Sequence, residues 1–357
     1  MNRRNLLIGA GGGLALAGAG AFANICAMGS ATDYDAAMAQ LRRPLASPPR
    51  AQDLVRYATL APNGHNAQPW CFRTARDHID IVPDFTRRTR VVDPDDHHLY
   101  VSLGCAAENM SLSARDIGLS GEVEVLPGGV RVHLDSAPVV GSALFDAIPH
   151  RQSTRSAFGT RRVGVDDLRS LVAAAKTPGV ELVLKTERRE IDRVRDLVLS
   201  GNDAQMADPA FIRELIGWLR FNPVQALAAG DGLYSVASGN PPLPSWLGPR
   251  AFDWMVTAKS ERRRYARLLD TSSGIAVFVG AHADPAHWVA VGRACQRFAL
   301  SATALGIKQA FVNQPVEVAA LRPGLAALVG MAGHRPDIVI RSDMPLTYHS
   351  PLVGRPK

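Results

Sequence analysis

Cysteine is scarce in this chain: four among 357 residues, at Cys26, Cys71, Cys105 and Cys295. No two form a C-x-x-C pair and none has zinc spacing, which argues against a thioredoxin-like motif and a structural zinc. Histidines cluster only as His97-His98 and as His282 with His287. Neither pair has the i, i+4 register with a nearby acid that a helical metal site uses, so no metal is expected. The P-loop pattern G-x-x-x-x-G-K-[ST] and the nucleophile elbow G-x-S-x-G are both missing, removing support for those chemistries. Aromatics make up only 6% and are not interleaved with basic residues. The net charge of +7 is mild, and its basic residues are dispersed apart from Arg87-Arg88, Arg161-Arg162 and Arg262-Arg263-Arg264. A nucleic-acid groove is not expected from such a surface.

What is present suffices for a packed core. Apolar residues make up 46% of the chain, whose length suits one large domain or two ordinary ones. The N-terminal stretch "MNRRNLLIGAGGGLALAGAGAFA" pairs Arg3-Arg4 with a weakly hydrophobic, glycine- and alanine-rich run. That is the composition of a twin-arginine export signal. Gly18, Gly20 and Ala23 formally fit G-x-G-x-x-A, but no β-branched strand precedes them, as a dinucleotide loop requires. Ala21-Phe22-Ala23 offers a small-x-small cleavage site. Left uncleaved, residues 6–25 approach the roughly 20 apolar residues of a membrane span and would act as an anchor. The expectation is an exported, periplasmic protein, with residues 1–31 as signal or anchor.

Internal similarity appears further on. "LGCAAENMSLSARDIGL" (103–119) and "VGRACQRFALSATALGI" (291–307) align without a gap at an offset of 188, with six identities in seventeen positions. Apolar residues recur at helical spacing in both, and each run ends on a glycine, Gly118 or Gly306, suited to a helix C-terminus. Duplication predicts two related halves, 32–140 and 141–357, packed as the subunits of a homodimer pack.

Two further stretches carry candidate chemistry. "APNGHNAQPW" (61–70) separates a helical pattern, "QDLVRYATL", from a strand-like run, "CFRTARDHIDIV". Ten residues exceed the two to six usual for such a connection. In the second stretch, "RQSTR", Arg151, Ser153 and Arg155 alternate along the chain and would share one face if extended. Two guanidiniums around a hydroxyl suit phosphate or carbonyl oxygens.

On these residues the chain resembles the nitroreductase family of flavoproteins. That family carries R-x-S-x-R/K after a short helix and S-P-S-x-x-N-x-Q-P-W after the next. The matching residues are Arg151-Gln152-Ser153-Thr154-Arg155 and Ala61-Pro62-Asn63-Gly64-His65-Asn66-Ala67-Gln68-Pro69-Trp70, and the similarity runs from about Asp33 to the C-terminus. Here the asparagine loop lies in the first half and the arginine motif in the second, so the chain resembles the duplicated, dormancy-associated branch of the family. The resemblance implies an α+β nitroreductase fold in which one chain imitates the dimer, a monomer with one complete composite site. It implies FMN as cofactor, held by Arg151, Ser153, Arg155 and Arg341, with Pro62, Asn63, Gly64, Asn66, Phe311, Val312, Asn313 and Gln314 around the ring. Asn313-Gln314 replace the family's acid-glycine pair, and Asp343-Met344 precede Pro345-Leu346 where the family has basic residues. His65 is a candidate proton donor. An insertion at about 202–269 is expected to cover the flavin as a lid. The implied function is an exported oxidoreductase reducing a small quinone, nitro compound or similar acceptor. A non-catalytic, flavin-sequestering protein is the alternative. Partners are then the small substrate and the twin-arginine export machinery, with no nucleic acid.

Overall fold

The computed structural model describes residues 27–158 and 164–343. Residues 1–26 of the candidate signal, the Arg161-Arg162 doublet and the tail from residue 344 onward, with Met344, Pro345 and Leu346, lie outside them. The fold is α+β. Strands β1 (Trp70–Thr74), β2 (His78–Pro83), β3 (Val123–Leu126) and β4 (Gly129–His133) form one antiparallel sheet in the order β1-β2-β4-β3. Strands β5 (Val180–Lys185), β8 (Gly274–Gly280), β9 (Gln309–Phe311) and β10 (Pro336–Ser342) form a second, in the order β5-β8-β10-β9. Each sheet is therefore built the same way: two strands, a 20-residue helix, then two more strands.

Those two helices, His97–Asp116 and Pro285–Ala304, are the centre of the molecule. Both are lined on most sides by alanine, glycine, serine and cysteine, so they suit burial rather than an amphipathic surface position. Ser102 and Ser113 hide their hydroxyls by donating to the carbonyls of His98 and Asn109, four residues back. Asp284 caps the second helix by accepting from the His287 amide, with Pro285 at its first turn. Gly118 (φ +80°) and Gly306 (φ +70°) end the two helices in the left-handed conformation.

Where the helices cross, no side chain fits between them. A Cβ on Gly104 would lie 2.1 Å from the Val289 carbonyl oxygen, and one on Gly292 would lie 2.0 Å from that of Val101. Each glycine sits against the partner of the other under the 188-residue offset. The polar contacts obey the same exchange. Glu108 meets Arg297 at 3.7 Å, and Gln296 Nε2 donates to Asn109 Oδ1 at 2.6 Å. Reciprocal contacts of this kind are what a two-fold interface produces.

One local expectation changes. "CFRTARDHIDIV" is a hairpin, β1 and β2, not one strand; it reverses through residues 75–77, where the Ala75 amide donates to His78 O. The excursion between β5 and β8 occupies residues 186–273. It begins with helix Arg188–Ala207, whose Ile191, Val194 and Val198 belong to the core beneath the second sheet. Short helices follow at Pro209–Trp218, Pro223–Ala229, Gly248–Met255 and Ala258–Asp270, with a parallel two-residue pair, β6 (Leu219–Arg220) and β7 (Leu233–Tyr234). Among the described residues no helix is long and apolar enough to cross a membrane.

Candidate functional site

A cavity of about 330 Å³ opens between the two central helices, the second sheet and the 186–273 excursion. Its floor is Val101, Ser102 and Cys105 from one central helix, Cys295 from the other, and Ala310 and Ile338 from the sheet. Phe211, Leu215, Phe221, Leu233 and Phe252 form an apolar roof. Gly248 lets that roof close, since a Cβ there would strike the Phe221 ring at 2.2 Å.

The 61–70 loop forms one wall. His65, Asn66 and Gln68 all adopt positive φ (48°, 53° and 55°), a conformation costing about 1 kcal/mol or more per non-glycine residue. The surrounding hydrogen bonds hold it. Asn63 Oδ1 accepts from the Gln68 amide at 2.8 Å, and Gln68 Nε2 donates to Asn66 Oδ1. Asn66 Nδ2 donates to Gly232 O while the Gly232 amide donates back to Asn66 O. Arg87 Nη1 bridges Ala67 O at 3.0 Å and Asp231 at 2.7 Å, and Arg220 also pairs with Asp231. The loop is thus laced to the excursion, which accounts for its length.

Pro62, Asn63, Gly64 and His65 line the cavity, as do Arg155, Phe311, Val312, Asn313, Gln314 and Arg341. Asn66 and Ser153 do not, and neither does Arg151. Asn66 is turned toward Gly232. Arg151 is buried and donates from Nη2 to Leu60 O at 2.9 Å; burial lowers its pKa to about 10. Arg151, Ser153 and Arg155 therefore do not share one face. Arg341 reaches the wall, but its guanidinium donates to the carbonyls of Leu268, Thr154 and Ser156 and stacks on Phe158 at 3.9 Å. Asn313 commits its side-chain oxygen to the Val339 amide.

His65 is partly exposed by area yet enclosed by the cavity walls. Burial, with His98 and Arg155 nearby, lowers its pKa to about 4, so it is neutral at pH 7.

Several wall residues were not singled out by the sequence. Arg264 and Glu261 form a 3.0 Å ion pair, and with Tyr265 and Leu268 they follow i, i+3, i+4, i+7 spacing on helix Ala258–Asp270. That stripe was legible inside the basic run. Glu317 is a wall carboxyl whose pKa burial raises; Gln205 Nε2 donates to it at 2.6 Å. Asn202 Nδ2, Ser235 Oγ, Gln314 Oε1 and His98 Nε2 are buried atoms on this wall with no hydrogen-bond partner among the described residues. A buried polar atom left unpaired costs about 1–3 kcal/mol, so four around one cavity point to a ligand with a polar edge. Asp93, His97 and His98 bring ligand-type atoms within 4.8 Å of one another. Asp93 accepts from the His98 and Leu99 amides, and His97 Nε2 bonds Asp337 at 2.8 Å, so helix capping and a buried pair already account for two of the three.

Among the described residues, fold and cavity together define an α+β protein with a large, partly polar cavity where the two central helices cross. No family model matches the chain. It is similar to "Putative NAD(P)H nitroreductase Rv3131" and "Putative NAD(P)H nitroreductase MT3217", from two strains of Mycobacterium tuberculosis. Each is 26% identical over 311 residues, covering 84% of this chain and 86% of the relative. Among solved structures, a nitroreductase with bound FMN from Desulfitobacterium hafniense matches with a TM-score of 0.35 and 16% identity, over 60% of this chain and 96% of that one. The FMN-dependent nitroreductase NfnB from Mycobacterium smegmatis, in complex with NADPH, matches at 0.36 and 13%, over 57% and 87%.

Proposed function

We propose that this protein is an exported FMN-dependent oxidoreductase of the nitroreductase type, with a single composite site between two related halves of one chain. The observation that carries the reading is the joint lining of one cavity by Pro62–His65 from the first half and by Arg155 and residues 311–314 from the second. The twin arginine at Arg3-Arg4 and the following apolar run support export. The common strand order, the reciprocal glycine contacts and the six identities support duplication, with halves at 32–140 and 141–357.

The residues present fit the cofactor: the unpaired amide, hydroxyl and imidazole atoms suit a heteroaromatic edge, and Arg155 and Arg264 suit its phosphate. FMN, when bound, supplies two-electron transfer between a reductant and a small acceptor. The chain's own part is to bind, orient and exclude water. Arg155 and Arg264 fix the anionic end, residues 62–64 bring backbone near the ring, and the apolar roof keeps water out. Neutral His65 can donate a hydrogen bond to the acceptor without adding charge. The names of the curated relatives favour a reduced nicotinamide as donor, and small quinones or nitro compounds are the acceptors we propose.

The apolar roof also favours a second reading, a flavin-sequestering protein without turnover. Purified protein should carry a flavin absorbance band at about one FMN per chain and, once reduced, pass electrons to quinone or nitroaromatic acceptors. Protein that neither carries nor takes up FMN would overturn the flavin assignment. Tight FMN binding with no acceptor reduction would leave the sequestering role.

A further inference from the structure

The cavity floor holds a second group able to carry electrons. Cys105 and Cys295 face the same space from opposite central helices, and both are free thiols. Cys105 Sγ donates to the Gly292 carbonyl at 3.2 Å. Gly292 lies one turn before Cys295, and helical side chains lean back toward the preceding turn, which brings the Cys295 thiol toward the same place. The two are close enough for the Cys105 thiol, together with burial, to push the Cys295 thiol well up.

Arg151 stands beside them. It is only 7% exposed, and its Nε and Nη1 have no partner among the described residues. The Cys105 and Cys295 thiols are among the groups acting electrostatically on it. A buried guanidinium with unspent donors next to two thiols is the setting that stabilises a transient thiolate. Simple helix packing asks only for small side chains at this crossing, and it gives the Arg151 donors nothing to do.

We propose that Cys105 and Cys295 are a redox-active pair that exchanges two electrons with flavin bound in the cavity above them; this rests on the flavin reading. In the oxidising direction two S–H bonds break and one Sγ–Sγ bond forms. The two electrons and two protons pass to oxidised flavin, which becomes fully reduced. In the reverse direction reduced flavin opens the disulfide. The pair gives the chain storage for a second electron pair, and Arg151 is its positioning residue.

The test uses the full-length, flavin-loaded protein under anaerobic conditions. Starting from air-oxidised protein, reductive titration should consume about four electrons per flavin rather than two. Alkylation followed by mass spectrometry of the same air-oxidised sample should show Cys105 and Cys295 protected and joined in one cross-linked peptide, lighter by about 2 Da than its two parts. Cys105→Ser or Cys295→Ser should lower the uptake to about two electrons, whereas Cys71→Ser, on the surface, should leave it at four. Arg151→Met should slow formation of the cross-link, and Arg151→Lys, which keeps a buried positive charge there, should restore much of the rate; equal rates in all three proteins would remove Arg151 from the pair. Flavin-loaded protein whose two thiols stay fully alkylatable after reoxidation, with two-electron uptake, overturns the pair and leaves the flavin reading intact. Protein that takes up no FMN overturns both.

Discussion

Arg151 and Arg155 lie four residues apart in one short segment, yet they meet different surroundings. Arg155 faces the cavity, and Arg151 is sealed behind its floor. Removing the Arg155 guanidinium should therefore weaken cofactor binding directly. A charge-assisted hydrogen bond contributes about 1.5–3 kcal/mol, so Arg155→Ala should raise the Kd for FMN roughly ten- to a hundredfold in a fluorescence titration. An unchanged Kd would remove Arg155 from the phosphate end. His65 gives a pH-dependent prediction. Its pKa is lowered to about 4 in the folded protein, against an ordinary value of 6.5. Between those values the unfolded chain binds the proton and the folded chain does not, so stability falls as pH drops from about 6.5 toward 4 and then levels. His65→Gln should flatten that part of the stability-against-pH curve measured by denaturant unfolding, and an unaltered curve would contradict it. The sequence marked both residues as site candidates but could not show which neighbours were already spent. Asn63 and Asn66 have the right spacing, and their amides are largely consumed in holding the loop. Spacing reveals proximity in the chain; hydrogen-bond occupancy depends on partners such as Gly232, more than 160 residues away.

Among the elements, the 61–70 loop and the central helices make separate predictions. The loop's left-handed residues are held by Asp231, through Arg87 and Arg220. Asp231→Ala should release that brace and speed amide hydrogen exchange at Ala67 and Gly232 without affecting β2 or β4, as followed by mass spectrometry. Equal protection in both proteins would show that the remaining bonds suffice. The helix crossing should be less forgiving. Gly292→Ala places a methyl 2.0 Å from a backbone carbonyl, which cannot swing aside as a side-chain end can. We expect a loss of about 3 kcal/mol or more. Gly217→Ala, with nothing within 4 Å of the new Cβ, should be neutral or stabilise by up to about 1 kcal/mol. Equal melting temperatures for the two variants would refute the close-contact account. Periodicity and the terminal glycines made both central helices legible in the sequence. The β1–β2 hairpin was not, because Ala75-Arg76-Asp77 has no glycine, proline or asparagine to mark the reversal.

Across the whole molecule, the duplication we propose predicts one FMN per chain, a ratio that absorbance against protein mass measures directly. A ratio near two would mean a second functional site on the opposite side of the crossing. The α+β class and the two central helices were readable because apolar periodicity and terminal glycines mark them in the sequence. The cavity roof was only partly readable: Phe211, Phe221 and Phe252 lie on different segments of the excursion, and only the folded chain brings them over one space. The same holds for Glu317 and Gln205, which meet across 112 positions.

The Gly104–Gly292 crossing lies within one polypeptide, and that changes how the site responds to dilution. In a homodimer, a pocket between subunits is lost as protein concentration falls below the dissociation constant. Here the two faces are tethered, so they meet at an effective concentration fixed by the chain itself. Melting temperature and cofactor occupancy should then be independent of protein concentration when free FMN is held constant. Dilution would then leave the cavity between the helices intact, where it would open the pocket of a dissociable pair.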